Sequence, residues 1–93
     1  MKIWVDADAC PKPVKDILFR LAERKKIMVT FVTNQRLILA KSPFIQLVQV
    51  GYGENIADDE IVNKCSDGDL IITADIPLAA RIVAKGAQAL DPR

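Results

Sequence analysis

The chain has 93 residues, which suits one domain with a modest hydrophobic core. Hydrophobic residues make up 51% and charged residues 27%, proportions typical of a globular protein and not of a disordered one. Because 13 basic residues nearly balance 12 acidic ones, the net charge argues neither for nor against a nucleic-acid partner. The sequence contains no histidine, which excludes Ser-His-Asp and Cys-His nucleophile systems and the usual zinc sites built on histidine.

The amino-terminal residues and the cysteines indicate the cellular compartment. Asp6 interrupts the first apolar run too early for a secretory signal, and no run approaches the roughly 20 apolar residues of a membrane span. We therefore predict a cytoplasmic protein that does not enter a membrane. In a reducing compartment Cys10 and Cys65 are expected to be unpaired thiols.

The hydrophobic pattern predicts strands and helices in alternation. After Pro11, an apolar stripe at i, i+3, i+4 and i+7 indicates an amphipathic helix; its members are Val14, Ile17, Leu18 and Leu21. In chain order we predict a strand at 2–5, a helix at 11–25, a strand at 27–33, a loop or single helical turn at 34–43, a strand at 44–50, a helix at 55–66, a strand at 70–73, a helix at 76–85 and a short strand at 87–90. This order predicts an α/β fold with a parallel sheet of four to five strands covered on both faces.

Acidic residues follow two of the predicted strands. Asp6 and Asp8 come directly after strand 2–5, and Asp75 comes after strand 70–73. Open parallel sheets bind ligands outside the carboxyl ends of their strands, so these side chains are expected at the functional edge, with the two strands adjacent. Taken singly, Asp8 or Asp75 has a simpler explanation as the N-cap of the next helix.

Asp58 is harder to explain as an ordinary surface acid. In the predicted helix 55–66, the core-facing stripe is Ile61, Val62 and Cys65, and Asp58 lies on the same stripe three, four and seven residues earlier. An ionised carboxylate on a buried face is costly unless it is paired or bound to a metal. The alternative is that Asp58 benefits from the helix dipole in a partly exposed first turn. Asp59, one position further, is expected on the solvated face.

A cluster of these acids predicts a metal site. Like charges crowded at one sheet edge repel one another and raise their own pKa values unless a counter-ion is present. Mg²⁺ or Mn²⁺ suits a set of carboxylate oxygens, and without a histidine base a metal-activated water is the expected nucleophile. We predict as metal ligands Asp6, Asp8, Asp58 and Asp75. Of these four, Asp6, Asp58 and Asp75 are also the predicted catalytic residues.

Four further residues are candidates for binding a substrate. Lys12 lies in the first turn of the predicted helix 11–25, where it could contact phosphate or be an ordinary surface lysine. Arg36 follows the second strand, in a loop expected to open on the ligand side. Thr33 and Asn34, at the end of that strand, are candidates for orienting a ligand or a water. Phe19 lies off the apolar stripe of its helix, which predicts an exposed aromatic on a partner surface.

Several segments along the chain, in the same order, resemble the YaiI/YqxD family, a branch of the PIN-like domains. The matching motifs are WVDADACP at 4–11, TNQ at 33–35, Ala57-Asp58 with Ile61-Val62, and GDLIITADIPLA at 68–79. The resemblance implies a three-layer α/β/α fold, with residues 1–93 as a single PIN-like domain that lacks the carboxyl-terminal extension of other members. PIN-like nucleases place one acid after the first strand, one in a middle helix and one in a Thr-x-Asp motif. The residues at those positions are Asp6, Asp58 and Thr73-x-Asp75.

Three functions remain open at this point. The first is a metal-dependent nuclease that cleaves RNA in preference to DNA, with Thr73 added to the substrate side by the resemblance. The second is a haloacid-dehalogenase-like phosphatase, in which Asp6 would be the nucleophile and Asp8 the acid; formation of an aspartyl-phosphate would distinguish it. The third is a metal-stabilised RNA- or protein-binding module without turnover, which the balanced charge favours. The oligomeric state is not fixed by the sequence, and a homo-oligomer is among the alternatives.

Overall fold

The alternation of strands and helices produces a parallel sheet with helices on both faces. A computed structural model describes residues 1–36, 41–53 and 55–92. The elements are β1 (Ile3–Asp6), a 3-10 turn (Ala7–Ala9), α1 (Lys12–Lys25), β2 (Val29–Thr33), β3 (Ile45–Gln49), α2 (Ile56–Lys64), β4 (Leu70–Ile72), α3 (Ile76–Ala84) and β5 (Gln88–Leu90). Every helix and strand predicted from the sequence is present, with ends that differ by one or two residues. The predicted loop at 34–43 includes residues 37–40, which lie outside the described residues.

The sheet has five strands in the order β3-β2-β1-β4-β5, and all neighbouring pairs are parallel. The predicted α/β class with a parallel sheet is therefore confirmed. The predicted adjacency of the first strand and the strand at 70–73 is also confirmed, because Val5 of β1 is in register with Ile72 of β4. Strands β1 and β4 therefore end side by side, and the residues that follow them meet at one edge of the sheet.

Alternating side chains of the strands form a core on each face of the sheet. Ile3 and Val5 of β1 point to the face covered by α1, where they pack with Leu18 and Ala22 of that helix. Trp4 points to the other face, where α2 and α3 complete a second core; its members include Val32, Ile61, Ile71, Leu78 and Ile82. The three layers are thus α1, the sheet, and the pair α2 and α3. Among the described residues, no helix is long and apolar enough to cross a membrane.

Helix α1 is rotated relative to the prediction. Ile17, assigned to the apolar stripe, is 60% exposed, whereas Phe19 is half-buried. The ring of Phe19 packs against that of Phe31 in β2, with 5.3 Å between the ring centroids. The buried face is centred on Leu18 and Ala22, so the large aromatic side chain is turned towards β2 and the aliphatic one is turned out. The prediction that Phe19 is an exposed aromatic is wrong.

A buried carboxylate joins the amino-terminal ends of β1 and β4. Asp69, which directly precedes β4, is only 5% exposed. It accepts hydrogen bonds from the backbone N–H of Lys2 at 3.0 Å, the indole Nε1 of Trp4 at 3.0 Å and the backbone N–H of Ser66 at 2.9 Å. Burial on its own raises the pKa of Asp69, but the hydrogen bonds from Ser66, Lys2 and Trp4 and the charge of the amino terminus outweigh it, so the pKa lies below its ordinary value.

We predict that Asp69→Ala destabilises the protein by roughly 3 kcal/mol at pH 7, because three donors lose a charged acceptor. A carboxylate whose folded pKa is lowered stabilises the native state above its unfolded value of 3.8, and this contribution is lost as the pH falls through the folded pKa. The difference in unfolding free energy between the wild type and the variant should therefore be smaller at pH 3 than at pH 7. Urea unfolding of both proteins at the two pH values measures this difference. Asp67→Ala, at an exposed position nearby, is the control; an equal effect of the two changes would contradict the assignment.

Candidate functional site

Three carboxylates from three segments lie at the carboxyl edge of the sheet. Asp6 is the last residue of β1, Asp58 lies in the first turn of α2, and Asp75 lies between β4 and α3. Because side chains alternate along a strand, Asp6 shares a face with Trp4, and that is the face covered by α2 and α3. The sheet register and the helix positions thus bring these three predicted residues together.

Asp6 is the most buried of the predicted ligands, with 7% of its surface exposed. Its Oδ2 accepts a hydrogen bond of 3.0 Å from the hydroxyl of Thr73. Burial is the main cause that raises the pKa of Asp6; the Thr73 hydroxyl lowers it, and the charges of Asp8 and Asp75 raise it further. The other oxygen, Oδ1, accepts no hydrogen bond from the described residues. Asp6 is therefore an oriented carboxylate with one oxygen that no described hydrogen-bond donor occupies.

Thr73 and Asp75 form a connected turn at the end of β4. The Thr73 hydroxyl, which donates to Asp6, accepts a hydrogen bond of 3.1 Å from the backbone N–H of Asp75. Asp75 Oδ1 in turn accepts a hydrogen bond of 3.0 Å from the backbone N–H of Leu78, and Asp75 thereby caps α3. The N-cap explanation considered for Asp75 therefore holds, and its charge still acts on the neighbouring acids. Thr73 thus positions acids, and it donates to Asp6 instead of to a substrate.

Asp58 is half-buried and faces the other two acids. Its pKa is raised to about 6, first by burial, then by the negative charges of Asp75 and Asp6 and by a hydrogen bond with Asp75. The positive charge of Arg81 on α3 acts in the opposite direction. Arg81 also forms an ion pair of 2.9 Å with Asp59, and its place beside the acids was not predicted. Asp58 therefore has other negative charges as neighbours, as its position on the helix stripe predicted.

Asp8 is held on the other side of this edge. It is exposed and accepts hydrogen bonds from the hydroxyl of Thr33 and, at 3.0 Å, from the backbone N–H of Asn34. The alternation along β2 places Thr33 on the face of Phe31, which is the α1 face. Asp8 does not cap α1, whose N-cap is Pro11. Its charge raises the pKa of Asp6, so Asp8 adjoins the cluster formed by Asp6, Asp58 and Asp75 without belonging to its face.

The predicted cationic contacts lie at the periphery. The side chain of Lys12 is exposed and pairs with Asp16 at 3.3 Å, as an ordinary surface lysine does. Arg36 is exposed beyond the end of β2. Lys15 is half-buried and lies close enough to Cys10 for its charge to act on the thiol. Like Lys12, Lys15 lies in the first turns of α1 and is a candidate for a phosphate contact.

Both cysteines are buried and unpaired, as predicted. Burial is the main cause that raises the pKa of the Cys10 thiol; Lys15 lowers it and Asp6 raises it. A thiol with a raised pKa is less reactive, so Cys10 is better explained as a packed core residue than as a reactive thiol.

A concave space of about 210 Å³ adjoins the cluster. Its walls are Thr73, Ala74, Asp75, Ile76, Ala79, Ala89 and Asp91. The alanine side chains leave room between the start of α3 and β5, directly beside Asp75. This space was not predicted, because it depends on small residues of two elements that become neighbours only in the fold.

The donor set can be compared with the needs of a divalent cation. Among the described residues, no three His, Cys, Asp or Glu side chains already surround a common metal position. The side chains at the edge are all carboxylates, which are hard oxygen ligands. The pKa values of Asp6 and Asp58 are raised first by burial and then by neighbouring acids, and a bound cation would lower both. The chemistry of these carboxylates therefore fits Mg²⁺ or Mn²⁺.

The sequence matches known proteins over its whole length. The family model described as "Uncharacterized BCR, YaiI/YqxD family" matches residues 4–93. The chain is 57% identical to a UPF0178 protein of Proteus mirabilis, 60% to one of Shewanella loihica and 59% to one of Klebsiella pneumoniae, in each case over 93 residues and 100% of this chain. It spans only 61–62% of the length of these relatives. No solved structure gives a significant match.

We predict that Asp58→Asn stabilises the metal-free protein above pH 6 or leaves its stability unchanged. Because the folded pKa of about 6 exceeds the unfolded value of 3.8, the native state binds more protons in this window, and stability falls as the pH rises through it. Asp58→Asn should remove this dependence of stability on pH. Melting temperatures of the wild type and the variant, taken from pH 4 to pH 8 in the presence of a chelator, measure the effect.

Asp59→Asn is the control for this change, since Asp59 is exposed and its ion pair with Arg81 is a surface pair that contributes about 1 kcal/mol or less. It should leave the fall in stability between pH 4 and pH 6 in place. If Asp58→Asn instead destabilised the protein at every pH, Asp58 would be a structural residue of α2, and the acids would not repel one another.

Proposed function

The chain belongs to the YaiI/YqxD family, and we propose that it is a divalent-metal-dependent phosphodiesterase that cleaves RNA in preference to DNA. The observation that carries the proposal is the convergence of Asp6, Asp58 and Asp75 at the carboxyl edge of the sheet, where the charges of Asp75 and Asp6 help to raise the pKa of Asp58 to about 6. This edge is where open parallel sheets place their ligands.

The residues proposed to hold Mg²⁺ or Mn²⁺ are Asp6, Asp58 and Asp75, with Asp8 assisting from the margin. Such an ion supplies a Lewis acid that lowers the pKa of a bound water and offsets the negative charge of the phosphate. It also explains how a protein without histidine would activate water.

The protein's own residues have separate tasks in this proposal. The Thr73 hydroxyl fixes the carboxylate of Asp6, and the N–H of Leu78 fixes that of Asp75, so neither needs to be ordered when the substrate arrives. Thr33 and Asn34 hold Asp8 in place and so act on the site through that residue. The space beside Asp75 can receive part of a nucleotide.

Two cations near this edge are candidates for meeting the phosphates. Arg36, at the end of β2, is the candidate for a phosphate contact, together with the half-buried Lys15. Lys12 remains a weaker candidate, because it is already paired with Asp16.

The phosphatase alternative receives less support from the geometry. It needs Asp6 as a nucleophile open to attack and Asp8 as an acid that can give up a proton. Asp6 is almost completely buried, and both oxygens of Asp8 already accept hydrogen bonds from Thr33 and Asn34. The binding-module alternative agrees with the same geometry as the nuclease, so turnover is the measurement that separates those two.

We predict that the protein cleaves a 5′-labelled single-stranded RNA with Mn²⁺, and that Asp6→Asn lowers the rate by at least about 100-fold. The reason is that Asp6 provides an oriented carboxylate at the centre of the cluster. Gel analysis of the products against time, beside a DNA strand of the same sequence, measures the rate and the preference. Asp59→Asn is the matched control and should stay within about twofold of the wild type.

Melting curves with Mn²⁺ separate metal binding from turnover. A ligand that binds only the native state raises the melting temperature. Mn²⁺ should therefore raise the melting temperatures of the wild type and of Asp59→Asn, but it should leave the melting temperature of Asp58→Asn unchanged. A full set of these shifts without any cleavage would point to the binding module. Cleavage that survives both a chelator and Asp6→Asn would rule out the proposed nuclease, and a covalent phosphoryl group on Asp6 would establish the phosphatase.

A further inference from the structure

A groove runs along the outer side of α1, on the opposite face of the sheet from Asp58 and Asp75. It encloses about 270 Å³. Its walls are Ile17, Arg20, Leu21, Arg24 and Lys25, and we call it the α1 groove. These positions follow the i, i+3, i+4, i+7 and i+8 pattern, so they form a second stripe beside the buried face of the helix.

The floor of the α1 groove is aliphatic and its rim is basic. Ile17 is 60% exposed, and Leu21 is only partly buried. Within the part of the chain that the structure describes, none of the three cations of the rim forms an ion pair. Arg24 and Lys25 lie in the last turn of α1, where the helix dipole favours positive charge. The dipole does not account for Arg20 or for the exposed Ile17, so the groove needs another explanation.

The two faces of the sheet are covered unequally. Helices α2 and α3 pack on one face, whereas among the described residues α1 is the single α-helix on the other, where Ala7 and Cys10 of the preceding turn also join the core. On the α1 face, the edge strand β5 presents Leu90, which is in register with the buried Ile72 of β4 and yet is 55% exposed. A further helix beside α1 would cover apolar surface that is now in contact with water.

We propose that the α1 groove is the docking surface for an acidic amphipathic helix supplied by the segment that the longer relatives have outside the matched residues. The 93 matched residues account for 62% of the Proteus mirabilis protein, so more than a third of it lies outside them. An aliphatic side chain of that helix would enter between Ile17 and Leu21, and its carboxylates would meet Arg20, Arg24 and Lys25.

The chemistry of the groove favours a peptide over a nucleic acid. Single-stranded RNA is bound by cations together with aromatic side chains on which bases stack, and the lining residues of the α1 groove include no aromatic one. Aliphatic side chains instead accept an apolar anchor from a partner helix, with the charges placed around it. This surface is separate from the acidic cluster, so the inference does not depend on the proposed nuclease activity.

The test uses overlapping synthetic peptides that cover the part of the Proteus mirabilis protein outside the matched residues. Each is labelled and titrated with the 93-residue protein, and fluorescence anisotropy measures the dissociation constant. We expect one acidic, amphipathic peptide to bind, with an affinity that falls as salt is raised from 50 to 500 mM. The double change Arg20→Glu with Arg24→Glu, and separately Ile17→Asp, should each weaken binding at least about tenfold.

The control is Lys64→Glu, at the end of α2 on the opposite face, which should change the affinity by less than about twofold. Ile17→Asp alters an exposed position, and circular dichroism establishes that each variant is folded. The inference is overturned if no peptide binds, or if a peptide binds and the groove variants bind it equally well. It is also overturned if a labelled RNA binds the wild type and the groove variants no longer bind it. A dimer of the protein that Ile17→Asp dissociates would overturn it as well.

Discussion

The parallel pairing of β1 with β4 is the constraint on which the rest of the structure depends. It joins the amino terminus of the chain to a strand more than sixty residues later, and side-chain hydrogen bonds hold it at both ends. At the amino-terminal end, Asp69 binds the backbone of Lys2 and the indole of Trp4. At the carboxyl end, the Thr73 hydroxyl donates to Asp6. Without this pairing the loop after each strand would lie elsewhere, and Asp75 would not act on Asp6.

Asp69, before β4, and Asp58, in the first turn of α2, have opposite energetic roles. Asp69 has three hydrogen-bond donors, its pKa is lowered, and it stabilises the native state at neutral pH. Asp58 has acids as neighbours, and its pKa is raised to about 6, so its ionisation opposes folding. The hydrogen bonds of Asp69 thus stabilise the β1–β4 pair, whereas the ionised form of Asp58 is disfavoured in the native state.

Much of the fold and the location of the acids could be predicted, because both follow from strand patterns. The strand after Lys2 and the strand after Asp69 are short apolar runs bounded by polar residues, and the acids after them must meet once the strands are adjacent and parallel. The rotation of α1 could not be predicted in the same way. Ile17 and Phe19 both flank Leu18, and only the position of Phe31 in β2 decides which of them is buried. Likewise, the donors to Asp69 and Asp8 come from segments that the fold brings together, so their partners are not visible in the sequence.

The central claim is that Asp6, Asp58 and Asp75 form one divalent-cation site. The most direct measurement is a crystal structure of the protein grown with Mn²⁺, with anomalous diffraction to locate the metal. We expect an anomalous peak at this edge with oxygens of all three carboxylates about 2.1 Å from it. An edge that holds no Mn²⁺ at millimolar concentration would contradict the proposed site.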